Sequence, residues 1–146
     1  MEESVGLLCD IKRVFECSEK DVRMYSPLTL AYIGDGIYDL VIRSVVVERA
    51  NRPNGELHKR TIGYVKAQTQ SKIIQALSDI LTEEERDIYK RGRNAKPHTI
   101  AKNAAAGDYR RATGFEALMG FLYLTGQDLR MLELIKKGIE LIGMEI

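Results

Sequence analysis

At 146 residues the chain is long enough for one domain with a core of its own, and its 45% hydrophobic and 29% charged residues are those of a globular protein. With only 3 Pro among many Ala, Leu, Ile, Glu and Lys, the composition favours a mostly helical domain. A net charge of +1, 2 Cys and 2 His exclude a uniformly charged protein, a disulfide framework and a Cys/His metal cluster.

The N-terminus starts acidic, its apolar run is short and broken by charges, and no stretch approaches the roughly 18 apolar residues of a membrane span. Cys9 and Cys17 on one helix would lie about two turns apart, too far to bridge. The expectation is a cytoplasmic protein with reduced thiols.

A first helix is predicted over residues 4–15 from Val5, Leu8, Ile11, Val14 and Phe15. Ser26 as N-cap and Pro27 in the first turn open a long second helix to about residue 50. Its apolar positions are Leu28, Ile33, Ile37, Leu40 and Val41, joined by Tyr32. Into this run the sequence sets Asp35 between Gly34 and Gly36. Two interior glycines cost on the order of 1 kcal/mol each relative to alanine. A carboxylate beside a buried face costs more unless paired or bound to a metal. Such a conflict marks a functional position, with the glycines letting other groups approach the backbone. Alternatively, Asp35 lies on the solvent edge and the glycines serve close helix packing.

A turn over 51–55 precedes a third helical region, residues 56–81, which Gly63 is expected to divide. Thr82 with Glu85 matches a capping box and opens a fourth helix ending near Gly92. Residues 93–107 show no periodicity and contain Pro97, and so read as a loop. A fifth helix over 108–124 and a sixth over 127–142 complete a single all-α domain of about six helices. Between Arg86 and Arg111 eight basic residues face two acids, giving +6 there and leaving −5 for the rest of the chain. A basic segment in a nearly neutral chain is the footprint of a polyanion site.

The fifth helix repeats the oddity of the second, since its apolar run holds one acid, Glu116. If the two helices pair, Asp35 and Glu116 offer hard oxygen ligands suited to Mg²⁺ beside a basic segment able to hold phosphates. That set fits metal-dependent phosphodiester hydrolysis.

Two motifs carry a family resemblance. Leu30-Ala-Tyr-Ile-Gly-Asp-Gly-Ile-Tyr-Asp-Leu-Val-Ile42 resembles the ribonuclease III signature E-x-L-G-D-x-x-L-x-L-x-I. Thr113-Gly-Phe-Glu-Ala-Leu-Met-Gly-Phe-Leu-Tyr-Leu124 resembles that family's second motif, D-x-x-E-A-L-x-G-x-x-Y-L. The resemblance runs from about Ser26 to the C-terminus. Two family acids are missing, replaced by Ala31 and Thr113. Together with the lack of a double-stranded-RNA-binding domain, these departures look like the subfamily called Mini-ribonuclease III.

The resemblance implies an Mg²⁺-dependent endoribonuclease for double-stranded RNA that matures the ends of large-subunit (23S) ribosomal RNA precursors as a homodimer. It assigns Asp35 and Glu116 as catalytic metal ligands, with weaker metal affinity than in four-acid relatives. Asp39, one turn after Asp35, either orients a ligand or is simply solvated. Tyr32 matches an aromatic that enters a pocket on the partner subunit, unless it is an ordinary core tyrosine. Arg91, Arg93 and Lys96, extended by Lys59, would grip the RNA. A catalytically idle RNA- or ribosome-binding protein of the same fold is the alternative, and whether a large-subunit ribosomal protein presents the substrate stays open.

Overall fold

The computed structural model describes residues 6–95 and 105–146. Among them are seven α-helices, one short 3-10 turn (Val22–Met24) and no strand: α1 (Leu7–Val14), α2 (Pro27–Arg49), α3 (Asn54–Val65), α4 (Ala67–Ala76), α5 (Glu83–Asn94), α6 (Ala105–Leu124) and α7 (Asp128–Leu141). The all-α expectation holds, with one helix more than the six anticipated. None of the described helices is long and apolar enough to cross a membrane.

The caps form as local chemistry dictates. The Ser26 hydroxyl accepts from the Thr29 amide at 3.2 Å, and Pro27 occupies the first turn of α2. Thr82 and Glu85 form a reciprocal capping box at 3.1 and 2.9 Å. Glu85 also takes two 2.8 Å hydrogen bonds from Arg130 of α7. These bonds, from Arg130 first and then from Thr82, hold its carboxyl below the usual range despite burial.

The extra helix comes from the third region, which breaks at Lys66 rather than at Gly63. Lys66 is extended (φ −68°, ψ 154°), so the last carbonyls of α3 need other donors. Two side chains of α4 supply them: Thr69 Oγ1 donates to Gly63 O at 2.7 Å, and Gln70 Nε2 to Val65 O at 2.7 Å. At the far side of the basic segment α5 continues to Asn94, and α6 has already begun at Ala105. Most of the expected loop between them lies outside the described residues.

Helix α6 is the centre of the domain. It packs on α2 most extensively, and also on α5, α4 and α7. Residues 117–123 are buried without interruption, as a helix surrounded by others requires. On α2 the buried positions are Leu30, Ala31, Gly34, Tyr38, Ile42 and Val46. Leu28 and Leu40, read from the sequence as part of its apolar face, are exposed, and Tyr32 is 83% exposed. That exposure removes the core-tyrosine reading of Tyr32. Tyr38 is the buried tyrosine instead, edge-on to Phe115 at 5.1 Å and donating to Tyr64 O at 2.8 Å.

Candidate active site

The site begins with glycines. A Cβ built on Gly34 would stand 1.7 Å from the Glu116 carbonyl oxygen, and one on Gly120 would stand 2.0 Å from the Leu30 carbonyl oxygen. At this crossing α2 and α6 touch backbone to backbone, once on each side, one helical turn apart. Gly34 therefore serves helix packing, whereas Gly36 has nothing within 4 Å of an added Cβ. The residue after Gly34 is Asp35, and the residue facing Gly34 is Glu116. The crossing that needs the glycine thus makes the two acids neighbours.

Their electrostatics follow from that placement. Asp35 is exposed and Glu116 half-buried. Burial first, and the Asp35 charge second, push the Glu116 carboxyl up to about 8. A hydrogen bond from Gln70 Nε2 to Glu116 Oε2 at 3.4 Å pulls the other way. Two carboxyls that resist being charged together are a donor set that a divalent ion would suit, since such an ion would remove both the repulsion and the need for a proton. Among the described residues no third Asp, Glu, His or Cys joins the cluster. Hard oxygen donors, so few of them, and a buried Gln70 Oε1 with no partner among the described residues fit an ion that keeps much of its water.

The pH dependence can be checked without metal. The native state binds the Glu116 proton more tightly than the unfolded chain does. Stability from this group is therefore full below about 4.5 and is lost as the pH rises through about 8. Glu116→Gln should match the wild-type melting temperature in acid and exceed it at alkaline pH, in the presence of a chelator. Parallel melting curves across that range would contradict the assignment.

The positions where the resemblance marks missing acids hold settled neutral side chains. Ala31 is 7% exposed and belongs to the core. Thr113 Oγ1 donates to Tyr109 O at 3.0 Å within its own helix. Asp39 accepts from Arg43 Nε at 2.8 Å, one turn along α2. Asp108 is likewise engaged: its carboxyl is held below the usual range by the Ser71 hydroxyl and then by Arg111, whose Nη2 lies 3.3 Å away.

The basic residues are distributed unequally. Arg91 and Arg93 sit on the last turn of α5, not in a loop. Gly92, between them, packs against Thr113, Gly114 and Ala117, with a built Cβ 2.7 Å from Ala117 Cβ. This docks the end of α5 on the turn of α6 that carries Glu116. Arg93 lies over the Tyr89 ring at 5.5 Å. Arg91 shares a surface hollow with Arg23, Glu84 and Asp87, a partly acidic setting. Lys59 is exposed on α3, and no contact joins it to the acids. Lys96 lies outside the described residues.

Sequence reading missed Gln70. The signal was available: it falls on the α4 stripe of Ile73, Ile74 and Leu77, so it is a polar residue in a buried row.

Residues 28–127 match the family model described as the Ribonuclease III domain, and the chain belongs to that family. It is 44% identical to Mini-ribonuclease 3 of Thermoanaerobacter sp. over 86% of this chain and 88% of that protein. It is also 47% identical to Mini-ribonuclease 3 of Enterococcus faecalis over 85% of this chain and 96% of that one. A crystal structure of a protein from Fusobacterium nucleatum superposes with a TM-score of 0.74 at 33% identity, covering 84% of this chain and 98% of the other. The protein is an endoribonuclease specific for double-stranded RNA.

Proposed function

We propose that Asp35 and Glu116 hold Mg²⁺ and that the enzyme hydrolyses phosphodiester bonds in the double-stranded ends of large-subunit (23S) ribosomal RNA precursor in the cytoplasm. The observation that carries this reading is the crossing of α2 and α6 at Gly34, which brings two acids together beside the basic end of α5. When bound, the cation supplies an activated water and neutralises charge on the phosphoryl oxygens. Asp35, exposed at the rim, meets the substrate side of the site. Glu116, behind it, gives up its proton on loading and then acts as an acceptor only. Arg91 and Arg93 balance the charge of the RNA backbone next to the acids, with Lys96 and Lys59 extending the track. Duplex RNA is held this way by shape and phosphates rather than by base edges.

The same reading makes the enzyme a homodimer. Tyr32, Leu28, Leu40 and Val47 stand exposed on α2, away from the domain's own core. Two sites related by a two-fold axis suit a duplex whose strands are also related by two-folds. With Tyr32 as the aromatic anchor, Tyr32→Asp should raise the dimer dissociation constant by roughly 30-fold or more. Sedimentation equilibrium checks this, and an unchanged dimer would remove Tyr32 from the interface. A large-subunit ribosomal protein presenting the RNA belongs to the same proposal. Its addition should raise the cleavage rate on precursor RNA and leave that on a plain duplex unchanged.

The deciding experiment is incubation of wild type and Asp35→Asn with duplex precursor RNA and Mg²⁺. Cleavage by the first and its loss in the second supports the reading. Equal cleavage by both removes Asp35 from the site.

A further inference from the structure

Glu116 has one neighbour with no part in the chemistry above. Gln70 stands on α4 with only 2% of its surface exposed. Its Nε2 donates to Val65 O at 2.7 Å and to Glu116 Oε2 at 3.4 Å. Both hydrogens of the amide are thus directed, one to the end of α3 and one to α6. Turned over, the amide would set its oxygen against Val65 O, a carbonyl with no hydrogen to offer. Nor can it swing away, since Val65 O has no further helical donor once the chain leaves the helix at Lys66. The amide's own Oε1 is buried and has no partner among the described residues.

The bond to Val65 O closes the end of α3 and uses only one of the amide's two hydrogens. The amide makes sense through its second hydrogen, which is the one the carboxylate uses. Gln70 therefore ties the reacting carboxyl to the joint between α3 and α4, a rigid point outside the α2–α6 crossing.

We propose that Gln70 is the positioning residue of this site: its amide, anchored on Val65 O, donates to Glu116 Oε2 and sets the rotamer of that carboxyl from behind. The proposal rests on the reading of Asp35 and Glu116 as the metal site. Gln70 acts through Glu116 and does not touch the reacting phosphate. Outer-shell partners of this kind typically change metal affinity or activity by about 10–100-fold.

Gln70→Met keeps the side-chain length and removes the donor. It should stay folded and bind duplex RNA like wild type in the absence of metal. It should need about 10–100-fold more Mg²⁺ for half-maximal single-turnover cleavage, or cleave more slowly by that factor. A merely structural residue would lower the melting temperature and leave the Mg²⁺ dependence alone; that result, or wild-type behaviour throughout, overturns the proposal. If Gln70→Met does not fold, the wild-type protein carries the test. The side-chain ¹⁵N amide resonance of Gln70 should move as Mg²⁺ is added without RNA, and should not move in Asp35→Asn. A resonance that stays still in the wild type overturns the proposal. The underlying reading fails separately. If Asp35→Asn cleaves like wild type, the metal site and Gln70's role in it both fall; if it is inactive while Gln70→Met is unaffected, only the role of Gln70 falls.

Discussion

Asp35→Asn is expected to reduce cleavage of duplex RNA by a factor on the order of 10²–10³ or more, the usual loss when one of few groups stabilising transition-state charge is removed. The site has little redundancy. Among the described residues no other acid stands in this cluster, and the family positions that would hold two more carry Ala31 and Thr113. Asparagine keeps the shape and one oxygen but removes the charge that, in the proposed site, would draw in a divalent cation. The fold should not suffer, because Asp35 is exposed and makes no ion pair among the described residues. A second readout is independent of activity. The Asp35 charge helps hold the Glu116 carboxyl up at about 8. Removing that charge should bring Glu116 back toward its ordinary range and weaken the alkaline loss of stability in metal-free protein. Cleavage within about ten-fold of wild type, with unchanged pH dependence of melting, would refute both the catalytic role and the proximity of the two acids.

Gly34→Ala is expected to be the most damaging single-methyl change in the fold. The new Cβ would lie 1.7 Å from the Glu116 carbonyl oxygen and 2.9 Å from the Gly120 amide nitrogen. Overpacking usually costs about 1–3 kcal/mol, and the upper end or beyond applies where the obstacle is main chain that cannot change rotamer. At roughly 2–8 °C per kcal/mol the melting temperature should fall by on the order of 10 °C. Helix propensity works in the opposite direction by only about 1 kcal/mol. Relief requires α2 and α6 to separate at the point that brings Asp35 and Glu116 together. Molecules that remain folded should therefore lose cleavage as well. Gly36→Ala is the contrast, since it meets nothing within 4 Å among the described residues and should leave stability equal or slightly improved. Equal melting temperatures for the two variants would show that the close crossing is not what sets the site.

Elements governed by near neighbours in the chain could be read from the sequence. Ser26 with Pro27, and Thr82 with Glu85, were recognisable because a cap is a local arrangement of one side chain and the next few amides. The apolar run read around Glu116 is buried on α6, at Phe115, Leu118, Met119, Leu122 and Tyr123 among others. The break at Lys66 was not legible. Gly63 looks like a breaker but sits inside α3, while the actual joint depends on Thr69 and Gln70 reaching back to carbonyls of the preceding helix. The buried side of α2 was misjudged for a related reason. A helix with apolar residues on several faces does not announce which one meets the core, and here the small residues Ala31 and Gly34 are inside while Leu28, Tyr32 and Leu40 look out.

By itself, then, the sequence determined the helical class, the caps and the two places where an acid interrupts an apolar helix. Each depends on residue type and short-range spacing. Only the tertiary structure decided that these acids share one site. Asp35 and Glu116 are 81 positions apart in the chain. They meet because Gly34 and Gly120 let two helix backbones touch, and a glycine's value as an absence of atoms appears only when the other helix is in place.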